Sequence, residues 1–590
     1  MSAVKMFSLD DFTGGLNTTV SMDSLKENTL IHADNVSVFR SGGIEFRSGT
    51  EALNENSYGV EIDQDIMWYL PAGGYIHLVM HSKKLYKVND TTGVLTLKAT
   101  LAGFEVGYVV FQDKLFFVDG NNYYVYGYYK FRSDDGTETI AADDIVKYLG
   151  GGGGGVTNAY YKAKAAHGSI DLGAEDFTDT ARWTNVTDGA IPDDIREVPI
   201  DGAGVVSGAT LDKIKKCTML EFHPISYRIF AAGNPSDPTA LYFSEINNPY
   251  AFKGSSELRP TSAAGPITGL QSFVQSMLVS YTRKWMFWDG IKVGTDVEWG
   301  TLPIPTGCVN HWAKVLTPYS LTFWGTDGLY IVYPGILIKD LVVIATKELY
   351  TKIDGNKIED DIKAMKNPTR VRLLYHDEKV YFAYGTVQGQ RNNIVMVLNW
   401  DTKTFVRFTG WQVNDWHVTE NNQIWFVSKN YILKYTEGVY NDVNVLTGAP
   451  KPIHVYVALP PLKLGGSQSI FLQKELRHLY VAAKQPLDEE NTSTFNLSIV
   501  SDYVTRGPFL ADVKESLVWG GNWGLKYGFV DLVVKRAECG KKGFRHGIII
   551  ESNELDNHAF IYSLGFEFVL LDGSEAGAIN AEGNLSWIQD

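Results

Sequence analysis

Short runs of β-branched and aromatic residues recur along this 590-residue chain, with polar turn residues between them. The pattern is clearest from residue 371 to residue 435, where the runs have the length of ordinary strands. They are Val371–Tyr375, Val380–Tyr384, Ile394–Trp400, Phe405–Phe408, Ile424–Ser428 and Tyr431–Tyr435. Runs of this kind, joined by short turns, predict a four-stranded antiparallel meander that starts again as soon as it ends.

The same pattern begins near residue 66, stops near residue 126, and resumes after Cys217. In all it gives about seven sheet-sized units at a spacing of roughly 40 to 60 residues. Such units predict an all-β fold, a β-propeller of about six to eight blades, in which each sheet packs against its neighbours. A string of separate β-sandwiches is the alternative, but it would need longer strands and linkers between domains.

Two other segments break the pattern. Residues 131–215 are polar and contain six consecutive glycines, Gly150 to Gly155. Because such a run holds neither strand nor helix, it predicts a flexible tether within a loop-rich, glycine-rich insertion. Longer alternating runs after residue 450 predict a C-terminal β-sandwich-like domain. The predicted domains are an N-terminal platform or docking segment at 1–50, the propeller at 51–130 and 216–449, the insertion at 131–215, and the C-terminal domain at 450–590.

Composition narrows the functions that this architecture can serve. Lys plus Arg number 53 against 68 Asp plus Glu, a net charge of −15, which disfavours a surface that binds DNA by neutralising phosphates. Cys217, Cys308 and Cys539 are far apart, so we expect buried thiols rather than a disulfide or zinc framework. No uncharged apolar run reaches the ~18 to 20 residues that span a bilayer. The first residues also lack the apolar core of a signal peptide.

A search for catalytic motifs finds no zinc-protease, nucleophile-elbow or phosphate-loop sequence. His77 and His81 are four residues apart, a spacing that suits a metal only on a helix, whereas their surroundings predict a strand. We therefore predict no catalytic residue, cofactor or metal, and a chain that is not an enzyme. A receptor-binding or carbohydrate-degrading propeller is the alternative, which would need an exposed aromatic and acidic groove. A generic propeller scaffold for protein partners is another.

Three short motifs near the N-terminus carry a resemblance to a known family. They are Phe-Xaa-Gly-Gly-Leu-Asn at 12–17, a stretch that ends in the asparagine of Ala-Asp-Asn at 33–35, and Gly-Xaa-Xaa-Xaa-Arg-Xaa-Gly at 43–49. This opening resembles that of the tail nozzle proteins of short-tailed bacteriophages, also called tubular tail protein B or tail hub proteins. The residues that match are Phe12, Gly14, Gly15, Leu16, Asn17, Asn35, Gly43, Arg47 and Gly49.

The resemblance implies a structural virion protein that forms a conduit, and a gate, for genome ejection. Its implied partners are further copies of itself in a homo-hexameric ring, the head–tail adaptor, tail fibre or distal tail proteins, and double-stranded DNA that passes without specific binding. The implied location is the phage tail, with assembly in the host cytoplasm. We expect the first fifty residues to hold the upstream neighbour or to pin the chain's own platform, through the turns at Gly14-Gly15 and Gly42-Gly43.

A conduit works best when it does not retain DNA, because each neutralised phosphate adds affinity. The negative net charge therefore predicts an acidic lumen, narrowed before ejection by mobile loops. The residues predicted to line or gate it are acidic pairs of the insertion, Asp134, Asp135, Asp143 and Asp144. The alternative is that the insertion is a solvated loop on the outer wall.

Overall fold

A computed structural model describes most of the chain in two compact units, residues 58–351 and residues 1–57 with 352–590. The described residues are 4–18, 25–54, 57–71, 73–129, 131–132, 137–150, 153–188, 191–198, 208–253, 256–259, 265–293, 297–318, 320–333, 350–352, 359–389, 391–462, 464, 472–484, 493–502, 504–513 and 532–571.

The unit of residues 58–351 is built from four-stranded antiparallel sheets that follow one another along the chain. We number these sheets as blades 1 to 5. Their strands are, for blade 1, Gln64–Tyr69, Tyr75–His81, Lys84–Val88 and Leu95–Thr100; for blade 2, Gly107–Phe111, Lys114–Val118, Tyr123–Tyr126 and Ile195–Glu197; for blade 3, Met219–His223, Arg228–Ala232, Leu241–Phe243 and Glu257–Leu258; for blade 4, Ile267–Phe273, Ser276–Tyr281, Lys284–Trp288 and Gly300–Thr301; and for blade 5, Lys314–Thr317, Ser320–Gly325, Gly328–Val332 and Tyr350–Lys352.

The middle strands of these blades are buried on both faces. Every residue of Lys114–Val118, Arg228–Ala232 and Ser276–Tyr281 is buried. Separate apolar cores lie between blades 1 and 2, 2 and 3, 3 and 4, and 4 and 5. The first strands of blades 2, 3 and 4 lie side by side. Sheets that stack face to face with their first strands together are the arrangement of a β-propeller, so the predicted fold class is confirmed.

The other unit contains two more four-stranded arrangements, blades 6 and 7. Blade 6 is a complete local meander, whereas the fourth strand of blade 7 comes from the N-terminal part of the chain, where residues 49–52 pair with residues 433–436. The strands are Arg372–His376, Lys379–Tyr384, Ile394–Asn399 and Phe405–Thr409 in blade 6, and Asp415–Val418, Ile424–Ser428, Tyr431–Thr436 and Gly49–Ala52 in blade 7.

The C-terminal residues form two sheets in the same unit, and N-terminal strands complete both of them. One sheet continues from blade 6 through an N-terminal strand, in the order His32–Asp34, Val455–Ala458, His546–Ser552, Ser493–Ser501 and Val504–Val513. The other contains Leu532–Gly543, Lys474–Lys484, Phe560–Leu570, Ile44–Phe46 and Val36–Val38, with Val4–Leu9 paired to Phe560–Leu570. The described strands among residues 4–52 are therefore hydrogen-bonded into the C-terminal sheets and blade 7, and the platform or docking role of this segment stays a prediction.

Shorter elements complete the described chain. Two-stranded pairs are Gly15–Leu16 with Thr29–Leu30 and Asn441–Val443 with Pro450–Pro452. Helices are confined to Gly208–Lys215, Glu359–Ala364 and the 3₁₀ turn Pro368–Arg370 among the described residues. None of the helices in that part of the chain has the length and apolar character needed to cross a bilayer. The three cysteines are buried free thiols, as predicted.

The insertion is a small folded body rather than a set of loops. It comprises a sheet of Phe131–Arg132, Ile145–Lys147, Tyr160–Ala163 and Trp183–Asn185, with the pairs Thr137–Ile140 with His167–Asp171 and Thr187–Asp188 with Ile191–Pro192. Aromatic rings, including Tyr161, Phe177 and Trp183, form its own core. The insertion therefore has strands and an apolar core of its own between its loops, because these side chains bury enough apolar surface to hold the strands.

The glycine run was predicted to be a flexible tether, and its described part is instead packed. A Cβ on Gly153 would overlap the carbonyl oxygen of Glu175. The next residue, Gly154, is bridged to Asp176, and its carbonyl accepts from the N–H of Phe177 at 2.9 Å. Glycine is required here because two backbones approach closely, whereas residues 151 and 152 lie outside the described part.

Replacing Gly153 with alanine should therefore loosen the insertion. We expect a local destabilisation of about 1–3 kcal/mol, the usual cost of an overpacked contact. Trypsin cleavage after Arg182, next to the core residue Trp183, should become faster in limited proteolysis. Gly168→Ala is the matched control, because a Cβ there meets nothing within 4 Å. Equal cleavage rates in both variants would contradict the packed role of Gly153.

Candidate functional site

The residues of the first N-terminal motif lie in a compact turn of the unit 1–57, 352–590. Phe12 and Leu16 are fully buried, and the N–H of Phe12 donates to the carbonyl of Gly42 at 3.0 Å. Gly15 has a φ of +60°, and a Cβ there would lie 2.9 Å from the Cβ of Thr404 in blade 6. The N–H of Asn17 donates to the carbonyl of Leu30 at 2.9 Å. The glycine pair therefore lets the N-terminal turn press against blade 6.

Asn35 joins three parts of this unit. It has a φ of +60°, which asparagine tolerates better than most residues, and its side chain is fully engaged. Its Nδ2 donates to Thr409 Oγ1 and to the carbonyl of His454, both at 2.7 Å. Its Oδ1 accepts from Arg47 Nε and from the N–H of Thr409, both at 2.8 Å. One amide thus links the N-terminal segment, the end of blade 6 and the C-terminal domain.

Arg47 is the charged centre of the same network. Its guanidinium is fully buried and forms a bidentate pair with Asp442, with distances of 2.9 Å and 2.5 Å. It also donates to the carbonyls of Ser48 and Thr409, and its Cζ lies 5.1 Å from the ring centroid of Trp411. The planar guanidinium suits such a site because it donates in several directions at once. Asn35, Arg47, Thr409 and Asp442 are called the Arg47 network below.

The remaining motif glycines fit against residues distant in sequence. A Cβ on Gly43 would lie 2.5 Å from a ring carbon of Phe560, and a Cβ on Gly49 would overlap the carbonyl oxygen of Asn441. The motif glycines, with Asn35 and Arg47, therefore lie in interior contacts of this unit. Of the two roles predicted for the first fifty residues, the geometry supports pinning of the chain's own body, because the side chains of Asn35 and Arg47 are inaccessible to a partner.

The structure describes two of the four acidic residues that were predicted to gate a lumen, and both lie in the insertion. Asp134 and Asp135 lie outside the described residues. Asp143 forms an ion pair with Lys162 at 3.2 Å, and Asp144 is buried and accepts from the N–H of Ala141 at 2.7 Å. The insertion leaves blade 2 between its third and fourth strands, away from the first strand, which lies against blade 3. A gating role for these residues stays a prediction.

A second polar cluster, which the sequence pattern did not indicate, lies on the first strands of blades 3 to 5. Glu221 Oε1 accepts from the N–H of Ser272 at 2.9 Å and from Gln271 Nε2 at 3.3 Å. Burial raises the pKa of Glu221 to about 7, although Lys314 and the Ser272 N–H act in the opposite direction. Burial likewise lowers the pKa of Lys314. No local sequence motif indicates the cluster around Glu221, because the residues that contact Glu221 come from other blades.

The first strands of blades 2 to 5 converge near this cluster. Tyr108 of blade 2 stacks on Trp312, which precedes blade 5, with ring centroids 5.6 Å apart. This contact brings side chains of blade 2 and of the segment before blade 5 together.

No family model and no curated protein matches this chain. Solved structures do match it. The WD40 domain of Pan2 from Neurospora crassa covers 68% of this chain and 98% of its own, with a TM-score of 0.34 and 6% identity. Exo-β-1,3-galactanase from Phanerochaete chrysosporium, in complex with β-1,3-galactotriose, covers 86% of this chain and 99% of its own, with a TM-score of 0.23 and 8% identity. The propeller assignment rests on the sheet topology.

These matches correct one expectation. The chain was predicted not to be an enzyme, and this prediction is contradicted, because the matched structures include a galactanase, which is an enzyme. At such TM-scores the likeness carries no argument about a reaction. Within the described ranges, no group of three or more histidine, cysteine, aspartate or glutamate side chains is placed to hold a metal ion.

Proposed function

We propose that this chain is a tail nozzle or hub component of a short-tailed phage. The observation that supports the proposal is the position of the motif residues. Phe12, Asn35 and Arg47, which carry the resemblance, fall within one unit, and the Arg47 network ties the N-terminal segment to blade 6 and the C-terminal domain. A motif that is short in sequence and central in the fold is the kind that a shared architecture requires.

The conduit belongs between copies of the chain rather than within one. In this proposal the duplex does not pass through one propeller, where the rings of Tyr108 and Trp312 meet. A ring of copies with heterologous contacts supplies a lumen of any needed width, and a closed ring of six is the proposed assembly. The proposed partners are the head–tail adaptor on one side and tail fibre or distal tail proteins on the other, within the virion.

A low affinity for DNA is part of this proposal. The net charge of −15 opposes retention of phosphates, so double-stranded DNA would pass without specific binding.

Native mass spectrometry of the purified full chain, alone and mixed with the adaptor of the same virion, tests the assembly. We expect a discrete six-copy ring, formed either alone or on the adaptor. Asp442→Asn, which disturbs the Arg47 network inside the subunit, should lower the yield of rings in step with the fraction of folded protein. A chain that stays monomeric at micromolar concentration, with and without the adaptor, would contradict the proposal.

A carbohydrate-degrading tail propeller is the second candidate function, and Glu221 is the observation that favours it. A carboxyl with a pKa of about 7 is suited to act as a general acid. Glycosidases use two carboxyls, roughly 5 to 9.5 Å apart. Among the described residues, however, the groups that shift the pKa of Glu221 are Lys314 and a backbone N–H, not a second carboxyl.

Release of reducing sugar from host envelope separates the two candidates. If the chain is an enzyme that uses Glu221, the wild-type chain should release reducing sugar, and the Glu221→Gln variant should not. No release by the wild-type chain, together with ring formation, leaves the nozzle.

A further inference from the structure

One end of the six-stranded C-terminal sheet carries exposed apolar side chains. Lys474, at the start of its strand, pairs with Gly543 and Leu570, which end theirs. Val4 starts a fourth strand at the same end, where it pairs with Val569. Neighbouring strands lie about 4.8 Å apart, so this end is roughly 15 Å across. Its exposed apolar side chains, which are 38% to 64% accessible and are called the sheet-end patch below, are Val4, Met6, Leu472 and Phe544.

Leu472 and Phe544 are held side by side by a buried lysine. The Lys474 residue is inaccessible to solvent, and its Nζ donates to the carbonyls of Leu472 and Phe544, both at 3.0 Å. The N–H of Phe544 also donates to Asp502 Oδ2 at 2.9 Å. Hydrogen bonds that involve a charged group are stronger than neutral ones, so the backbone beneath the patch is held in place. The exposed apolar side chains therefore belong to a structured surface.

The surroundings of the patch are basic, although the chain as a whole has a net charge of −15. Among the described residues within three positions of the four strand ends, the bases other than Lys474 are Lys5, Arg477, Lys541, Lys542 and Arg545, and the acids are Glu475 and Glu567. Of these acids, Glu567 already accepts from the Tyr480 hydroxyl at 2.8 Å. Asp502, which adjoins this end, accepts from the backbone N–H groups of Phe544 and Arg545. This end of the sheet therefore favours an acidic partner.

Residues 572–590 follow from this same end and lie outside the described part of the chain. Leu571 donates its N–H to the carbonyl of Gln473 at 2.8 Å, beside Leu472. The sequence 572–590 contains four acidic residues and no lysine or arginine. An extended chain covers about 3.3–3.6 Å per residue, so the segment from Leu571 to Leu585 can span up to roughly 45 Å and can reach every part of the patch. The large apolar residues of 572–590, three of them close together, are Ile579, Leu585, Trp587 and Ile588.

We infer that Leu585, Trp587 and Ile588 dock on the sheet-end patch of their own chain. The apolar side chains of this segment match the exposed apolar surface, and its acidic residues match the bases around that surface. The covalent connection through Leu571 gives the segment a local concentration of about millimolar, so a contact that is too weak between separate molecules forms within one chain. The same segment of a second copy is the other occupant that the test distinguishes. The inference concerns one copy of the chain and does not rest on the proposed ring.

Photo-crosslinking of the full chain tests the inference. Benzoylphenylalanine is placed at position 6, where the Met6 side chain is exposed, in an equal mixture of unlabelled and isotope-labelled chains. We expect mass spectrometry to find a crosslink to residues 585–588, with both peptides of the same isotope composition. In Trp587→Ser the crosslink yield should fall by about fivefold or more, because aromatic anchors carry most of the affinity of a small apolar contact.

Ser586→Ala is the matched control variant, because it changes the same segment and leaves its three apolar side chains in place. Leu446 is the control position for the photoreactive group, since it is an exposed apolar residue of the same unit outside the six-stranded sheet. A crosslink from position 6 within one copy that is lost in Trp587→Ser and kept in Ser586→Ala supports the inference. No crosslink from position 6, an equal yield from position 446, or an equal yield in the two variants overturns it. Crosslinks found only between labelled and unlabelled chains also overturn it, because the occupant is then a second copy.

Discussion

Replacing Arg47 with alanine is expected to destabilise the unit 1–57, 352–590 by about 3–5 kcal/mol, the cost of breaking a buried ion pair. The Arg47 side chain is fully buried and that of Asp442 is 8% exposed. Without the guanidinium, the Asp442 carboxyl would lose its buried ion-pair partner in a site that water barely reaches. The Oδ1 of Asn35 and the carbonyl of Thr409 would each lose a donor as well.

The experiment is urea unfolding of the full chain, with hydrogen exchange measured on peptides from blades 6 and 7. Arg40→Ala is the matched control, because Arg40 is an arginine of the same segment that pairs with Asp401 and its side chain is 75% exposed. A surface pair of that kind contributes about 0–1 kcal/mol. Similar losses in the two variants would show that the Arg47 network does not hold the unit together.

A double variant separates charge from packing. In Arg47→Met with Asp442→Leu, both ionic groups are replaced by apolar ones of similar size. Such replacements are often neutral or stabilising elsewhere. Here we expect a recovery of about half or more of the loss seen in Arg47→Ala, less than a full recovery because Asn35 Oδ1 and the Thr409 carbonyl still lack the hydrogen bonds that Arg47 donated. A double variant as unstable as the sum of the single variants would indicate that the pair is not coupled.

The sequence predicted the local parts of this fold well and the long-range parts poorly. Blade 6 is four strands joined by short turns, so alternation and turn residues were enough to predict it. The fourth strand of blade 7 could not be predicted that way, because Gly49–Ala52 pairs with a strand almost four hundred residues later. The fourth strand of blade 2 was missed for a similar reason, since the insertion separates it from the third.

The same limit applies to the sites. The motifs that contain Asn35 and Arg47 were visible in the sequence, but Asp442, the ion-pair partner of Arg47, is separated from it by 395 positions. Composition predicted a flexible tether at the glycine run. The contact between Gly153 and the carbonyl of Glu175 shows instead that a glycine is needed at 153, because a Cβ there would overlap that carbonyl. The raised pKa of Glu221 could not be predicted from the sequence. It results from burial between blades, which a single glutamate in a strand does not reveal.

The histidine pair near residue 80 provides the second large expected effect. His77 lies in the second strand of blade 1, with Nε2 at 2.7 Å from Asp65 Oδ1 and Nδ1 at 2.6 Å from Asp90 Oδ1. Burial alone would lower the pKa of His77, but the two aspartates outweigh it and raise the pKa to about 9. The ring is therefore a cation that donates to both carboxylates, not a metal ligand.

This raised pKa makes blade 1 sensitive to alkali. The ordinary pKa of histidine in the unfolded chain is about 6.5. The protonated ring therefore stabilises the fold fully below about pH 6.5, and the contribution is lost as the pH rises through 9. A pKa difference of this size corresponds to about 3 kcal/mol. Above pH 9 one ring nitrogen would turn a lone pair toward a carboxylate, which is repulsive.

Pulsed hydrogen exchange in urea, on peptides that cover residues 64–81, measures this effect. The urea midpoint of blade 1 should fall between pH 7 and pH 10 in the wild-type chain. In His77→Gln it should be lower at pH 7 and should change little with pH, because the glutamine side chain does not titrate. His81→Gln is the control, since the His81 ring contacts the carbonyl of Glu61 rather than a pair of carboxylates. A midpoint in His77→Gln that falls as steeply with pH as in the wild-type chain would rule out His77 as the source of the alkaline sensitivity.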